Sequence, residues 1–121
     1  MSTPQDVVTK VCAVPSDLHQ RGDLSVVRLL QESGYEAVRG AVSAPAIQQH
    51  LETHPHLIDE WAVYSNDKRR SSGWYFDDSR YSTGHFSSAA GRTREQVFSE
   101  RSRACAEFIK HELDSILENV A

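Results

Sequence analysis

Residues 61–76 read WAVYSNDKRRSSGWYF, and within them the spacing of apolar residues changes from helical to strand-like. Trp61 and Tyr64 continue the apolar face of a helix that begins upstream. At Ser65 that period ends, and residues 72–77 (SGWYFD) form a short segment rich in aromatic residues. The stretch therefore predicts a crossover from a helix into a β-strand.

The chain upstream of this crossover predicts a set of short helices. The first begins at Thr3-Pro4, and residues 15–22 (PSDLHQRG) are typical of a loop. Asp23 is a suitable N-cap for a helix that ends at Ser33, just before Gly34. A further helix begins at Ser43, and Pro55 separates it from the helix whose apolar face is Leu57, Ile58, Trp61 and Tyr64.

The chain downstream predicts an antiparallel meander of two or three strands and then a long helix. Residues 81–86 (YSTGHF) follow the polar turn 77–80, which is typical of a β-hairpin, and residues 92–98 predict a third strand. Ser99 caps a helix over 100–119. This order predicts an α+β fold with the C-terminal helix packed on one sheet face. The expected core consists of Trp61, Trp74, Phe76, Phe108, Ile109, Leu113 and Leu117.

The length of 121 residues is sufficient for one domain with its own core. We interpret residues 1–22 as an N-terminal extension and residues 23–121 as the globular domain. No apolar run approaches the ~20 residues of a membrane span, and the N-terminus lacks the features of a secretory signal. Cys12 and Cys105 are therefore expected to be reduced thiols in a cytoplasmic protein, with a disulfide as the alternative.

The net charge of −4 is unevenly distributed along the chain. Residues 68–103 carry eight Lys/Arg against four Asp/Glu, whereas both flanking segments are acidic. A basic middle segment could dock an acidic partner, but surface charges are more often compensated within the same domain. We therefore favour local compensation.

The histidines His50, His54 and His56 are one candidate site, because two histidines four positions apart on a helix can hold a metal. No further ligand stands at a supporting spacing, and Pro55 redirects the chain before His56. The sequence therefore predicts neither a metal site nor a cofactor.

The sequence contains no complete catalytic motif. Ser65 to Lys68 match S-x-x-K, but the two companion motifs of that enzyme class are missing from the sequence. Ser65, Asp67 and His85 have the residue types of a hydrolytic triad, but the G-x-S-x-G motif that would support one is missing from the sequence. A small enzyme is therefore the third-ranked hypothesis.

Two sequence patterns together resemble a protein family. They are W-x-x-Y-S-x-D-K-R-x-x-x-G-W-Y, from Trp61 to Tyr75, and A-C-A-x-F-I-x-x-E-L, from Ala104 to Leu113. The chain over roughly 24–117 resembles small uncharacterised bacterial α+β domains, some of which are similar to immunity proteins that neutralise toxins. The resemblance implies a bacterial binding protein and supplies no catalytic residue.

These patterns favour a non-catalytic, cytoplasmic protein that binds another protein and does not enter a membrane. Aromatic residues beside cations are typical of interface anchors. The alternative is a nucleic-acid-binding domain in which residues 64–86 stack bases and hold phosphates. The candidate partner-binding residues are Tyr64, Asp67, Lys68, Arg69, Arg70, Tyr75 and Tyr81.

Overall fold

The computed structural model describes residues 3–21, 25–67 and 72–120, and they form an α+β fold. In chain order the elements are α1 (Pro4–Cys12), α2 (Val14–Arg21), α3 (Val26–Ser33), α4 (Tyr35–Val38), a 3-10 turn (Arg39–Ala41), α5 (Ala44–Thr53), α6 (His56–Asp67), β1 (Ser72–Asp77), β2 (Ser82–Ser87), β3 (Gly91–Val97) and α7 (Arg101–Val120). The three strands form one antiparallel sheet in the order β1-β2-β3. The helix-to-strand crossover, the meander and the long C-terminal helix are thus confirmed.

Helix α1 begins with a capping box. The Thr3 side chain accepts the backbone N–H of Asp6, and the Asp6 carboxylate accepts the backbone N–H of Thr3, while Pro4 occupies the first turn. Four side chains of α1 are fully or almost fully buried: Val7, Val8, Val11 and Cys12. The segment interpreted as an N-terminal extension therefore contributes directly to the core.

The prediction of a loop at residues 15–22 is wrong, because Val14–Arg21 is helical. Pro15 lies in the first turn of α2, where a helix needs no backbone N–H donor from it. The cap of α3 also differs from the prediction, since the Ser25 side chain accepts the N–H of Arg28. The predicted cap Asp23 lies outside the described residues.

Other helix boundaries agree with the sequence. Helix α3 ends at Gly34, which adopts φ +80° and so takes the left-handed conformation that favours glycine. The Ser43 side chain caps α5 by accepting the N–H of Ala46. Helix α6, however, continues two residues beyond the predicted end at Ser65 and finishes at Asp67.

The register of the sheet separates two faces. Trp74 pairs with His85 and Phe76 pairs with Thr83, so these side chains share the inner face, on which α7 packs. Tyr75 lies between Trp74 and Phe76 in sequence and therefore points to the opposite, outer face. The position of each β1 side chain thus follows from the burial of Phe76.

The core is centred on Phe108 of α7. Its ring lies 6.0 Å from the Trp61 ring, 6.3 Å from the Phe76 ring and 6.4 Å from the Tyr64 ring, measured between centroids. Of the seven expected core residues, Trp61, Phe76, Phe108, Ile109 and Leu113 are buried. Trp74 and Leu117 are only partly buried and pack against the edge of this core.

Both cysteines are free and buried, as expected for reduced thiols. Burial raises the pKa of the Cys12 thiol to about 12, so the thiol stays protonated. The backbone carbonyl of Cys12 accepts the indole N–H of Trp61 at 2.9 Å. This bond satisfies the polar atom of a fully buried tryptophan and links α1 to α6.

Charged contacts fix α7 at its N-terminal end. The Arg101 guanidinium donates to both carboxylate oxygens of Asp78, at 2.5 and 2.7 Å, and to the carboxylate of Asp59. Asp78 follows β1 and Asp59 belongs to α6, so one side chain connects three elements. A bidentate guanidinium–carboxylate pair is strongly directional, and it therefore fixes the position of α7 along the sheet.

None of the helices in the described parts of the chain combines the length and the apolar character that crossing a membrane requires.

We predict that Phe108→Ala lowers the free energy of unfolding by about 3–5 kcal/mol, because it removes buried area and leaves a cavity between three elements. Urea denaturation measures the loss. The control is Val63→Ala on α6, where the side chain is 59% exposed and the expected change is within about 0.5 kcal/mol. A loss below about 1 kcal/mol for Phe108→Ala would contradict the packing described here.

Candidate functional site

The outer face of the sheet carries an ordered set of polar and aromatic side chains. Cross-strand pairing places nine residues on this face: Gly73, Tyr75 and Asp77 of β1; Ser82, Gly84 and Phe86 of β2; Arg92, Glu95 and Val97 of β3. The contacts of Tyr75, Arg80 and Arg92 described next join strands and turns. We refer to these nine residues as the outer face.

Tyr75 lies across the sheet over Gly84, its cross-strand neighbour. Its hydroxyl donates to the Glu95 carboxylate on β3 at 2.8 Å. A Cβ atom at Gly84 would lie 2.7 Å from the Tyr75 hydroxyl oxygen and 3.0 Å from both the Glu95 Cα and the Thr93 carbonyl oxygen. Only a glycine at this position lets the phenol reach the third strand.

A β-bulge in β3 directs Glu95 toward Tyr75. His85 pairs with Thr93 and Thr83 pairs with Gln96, so two residues of β3, Arg94 and Glu95, lie opposite Gly84. Arg94 has φ +55°, a left-handed conformation that is strained for a residue with a side chain. Bulges of this kind re-aim side chains, and here the bulge brings a carboxylate onto the outer face.

Arg92 covers the other side of the Tyr75 ring. Its guanidinium carbon lies 4.5 Å from the ring centroid, and its Nη1 donates to the Asp77 carboxylate at 2.9 Å. Arg80 from the β1–β2 turn contacts Glu95 at 3.0 Å. The two arginines are thus paired with two carboxylates of the same surface, and the face has no excess charge from these four groups.

The pKa values of this face follow from those contacts. Partial burial and the hydrogen bond to Glu95 raise the pKa of Tyr75 to about 12, so the phenol remains a donor at neutral pH. Hydrogen bonds from the Ser79 hydroxyl and from Arg92 hold the pKa of Asp77 below its usual range, although burial opposes them. Asp77 is therefore ionised and Tyr75 is protonated, which keeps the network in a single arrangement.

A groove of about 520 Å³ borders the outer face along β1. Its wall includes Ser65 and Asn66 of α6, and its floor reaches Gly73, Phe86 and Arg92. The Ser65 hydroxyl accepts the backbone N–H of Phe76 at 2.8 Å, which ties α6 to this strand. Phe86 stands opposite Gly73 and is 41% exposed, so its ring is accessible from the groove.

The predicted partner-binding residues are divided among several places. Tyr75 belongs to the outer face, and Tyr81 is 40% exposed in the β1–β2 turn. Tyr64 faces inward, where its hydroxyl donates to the buried Glu112 at 2.7 Å. Lys68, Arg69 and Arg70 lie outside the described residues, as does the side chain of Asp67.

Sequence reasoning missed the residues that position Tyr75, namely Gly84, Arg92 and Glu95. A glycine inside a strand marks a bulge or a close approach, so Gly84 carried a usable signal. Arg92 and Glu95 had none, because their contact with Tyr75 depends on a bulge that cannot be read from the alternation of residues.

The three histidines form a separate cluster where α5 ends and α6 begins, with His50 partly buried and His54 and His56 exposed. The rings of His50 and His54 stack with centroids 4.4 Å apart, and the His54 Nδ1 lies 3.1 Å from the backbone oxygen of His50. Among the described residues, no three His, Cys, Asp or Glu side chains come together as ligands for a metal. Contacts within the helix end account for the present positions of these rings.

Comparison of the chain with protein-family models, with curated proteins and with solved structures found no match in any of the three. An α+β architecture hosts many activities, so function has to be inferred from the site itself.

We predict that Gly84→Ala lowers the free energy of unfolding by about 1–3 kcal/mol, because the added methyl group displaces the Tyr75 hydroxyl and the bulged strand. Tyr75→Phe removes one of the clashing atoms, so the cost of Gly84→Ala should be smaller in that background by about 1 kcal/mol. Gly40→Ala is the control, since no atom lies within 4 Å of a Cβ there. Equal costs at positions 84 and 40 in urea denaturation would rule out the close approach.

A second prediction concerns His50. Burial, and then repulsion from His54, lower the pKa of His50 in the folded state. The unfolded chain, with a histidine pKa of about 6.5, therefore binds more protons, and stability is lost as the pH falls from about 7 to about 5. His50→Gln should make this decline shallower in urea denaturation at several pH values, whereas Gln49→Asn should leave it unchanged. An unaltered slope in His50→Gln would refute the assignment.

Proposed function

We propose that this protein is a non-catalytic binding module and that its outer face docks a protein partner. The observation that carries the proposal is the half-exposed ring of Phe86 beside a Tyr75–Arg92 stack whose geometry is already fixed. Aromatic and arginine side chains dominate the energetics of protein interfaces, especially where they are held in place before binding. A groove of about 520 Å³ next to them offers room for a side chain of the partner.

The charges of the outer face favour a protein over a nucleic acid. Phosphate binding requires cations that release counterions from the nucleic acid. Arg80 and Arg92 are already paired with Glu95 and Asp77. The nucleic-acid hypothesis therefore depends on Lys68, Arg69 and Arg70, which lie outside the described residues.

The residues considered for catalysis support a non-catalytic function. The Ser65 hydroxyl accepts a backbone N–H from β1, and the His85 ring packs edge-on against Trp74 with centroids 5.5 Å apart. Each contact has a structural purpose and neither aligns a nucleophile with a base. A toxin-neutralising immunity protein in a bacterial cytoplasm is one specific form of the binding activity, in which the partner is a toxin.

The test is affinity capture from the native host, followed by reconstitution with the purified candidate partner. We predict that Phe86→Ser weakens the reconstituted complex by about 1–3 kcal/mol, because an exposed aromatic anchor is removed. Val63→Ser is the matched control, since Val63 is also exposed but lies on α6. A complex that is insensitive to Phe86→Ser would contradict docking on the outer face.

Single- and double-stranded oligonucleotides are the competing probes in the same assay. If Lys68, Arg69 and Arg70 bind phosphates, log affinity should fall with log salt concentration at a slope of about −2 to −3. Such binding, lost on replacing Lys68 and Arg70 by Ser and unaffected by Phe86→Ser, would replace the protein-binding proposal. A complex that persists in moderate salt supports it, because buried apolar contacts are screened far less.

A further inference from the structure

We propose that the outer face binds a second copy of this chain and so forms a two-fold symmetric dimer. This inference rests on the proposed function, because it names the partner of the same surface. Three features of the outer face carry it: its charge balance, the position of its apolar side chains and its fixed geometry.

The charge balance favours a second copy over a strongly charged partner. In a two-fold interface the same patch meets itself, so a patch of one sign repels its own copy. The outer face pairs Arg92 with Asp77 at 2.9 Å and Arg80 with Glu95 at 3.0 Å, so these groups contribute equal numbers of both signs. An acidic protein or a nucleic acid would instead be attracted by surplus cations, which these pairs do not provide.

Two apolar side chains of the outer face are exposed and would be buried in a dimer. Phe86 is 41% exposed and Val97 is 61% exposed. Val97 pairs with Ser82, which pairs with Asp77, so Val97 shares the outer face with Phe86. Phe86 lies near the end of β2, whereas Val97 ends β3 opposite the first residue of β2, so the two lie toward opposite ends of the sheet. A second outer face laid on the first would bury both.

The fixed geometry lowers the entropic cost of association. The Tyr75 side chain is held by Arg92 over its ring and by the hydrogen bond from its hydroxyl to Glu95. Long polar side chains that are already immobilised lose little further freedom when an interface forms. The paired side chains of the outer face therefore oppose dimerisation less than mobile side chains would.

Sedimentation velocity of the purified chain, from about 1 µM to about 1 mM, tests the inference directly. The expected result is a reversible shift to twice the mass of the chain, retained at moderate salt. The double substitution Phe86→Ser with Val97→Ser should raise the dissociation constant at least about tenfold, whereas Val63→Ser should leave it unchanged. A chain that stays monomeric over the whole range overturns the inference.

Amide hydrogen exchange of the wild-type protein locates the interface without relying on any variant. Protection that increases with protein concentration in β2 and β3 supports the dimer, and concentration-dependent protection confined to α6 or the histidine cluster overturns it. A different result would test the proposed binding function separately from the dimer. A monomer that binds another protein, and loses that binding on Phe86→Ser, refutes the second copy and leaves the binding module standing.

Discussion

The packing of Phe108 against rings from α6 and β1 is the interaction on which the rest of the domain depends. Phe108 contacts Trp61 and Tyr64 on one side and Phe76 on the other. Because side chains alternate along a strand, turning Phe76 toward this cluster commits Tyr75 and Asp77 to the outer face. The arrangement of the candidate site is therefore a consequence of how the core is filled.

Apolar packing alone would allow α7 to slide along the sheet, and polar contacts remove that freedom. Arg101 connects the start of α7 to Asp78 and Asp59. Two turns further along, Lys110 donates to the Tyr35 hydroxyl at 2.7 Å and to the Arg39 carbonyl at 2.8 Å. Partial burial lowers the pKa of Lys110, while the attraction of Asp114 opposes this shift. Directional bonds at the start and in the middle of the helix therefore select one register for its apolar stripe.

The elements predicted correctly are those in which the spacing of apolar residues is regular or a capping residue marks the boundary. The bounds of β1 were predicted correctly because a short run of aromatic residues, Trp74 to Phe76, lies between polar segments there. Gly34 and Ser43 marked helix ends by their backbone chemistry. Helix α2 was missed because the polar and turn-forming residues of 15–22 are typical of a loop, although the first turn of a helix tolerates the proline at position 15. The contacts around Tyr75 in the candidate site were missed for another reason. Arg92, Glu95 and Gly84 meet Tyr75 only through three-strand geometry and a bulge.

The two faces of the sheet use similar residue types for different purposes. On the inner face, Trp74 stacks on His111 with ring centroids 4.0 Å apart, which closes the core at its edge. On the outer face, the Tyr75 ring is also covered by a neighbouring group, the Arg92 guanidinium, whose carbon lies 4.5 Å from the ring centroid. The Arg92 side chain is 49% exposed. Solubility alone requires charged residues and no fixed arrangement of them. A strained Arg94, a glycine that admits the phenol and two arginines paired with carboxylates together give this face an ordered arrangement with balanced charges, and the proposed binding function rests on that order.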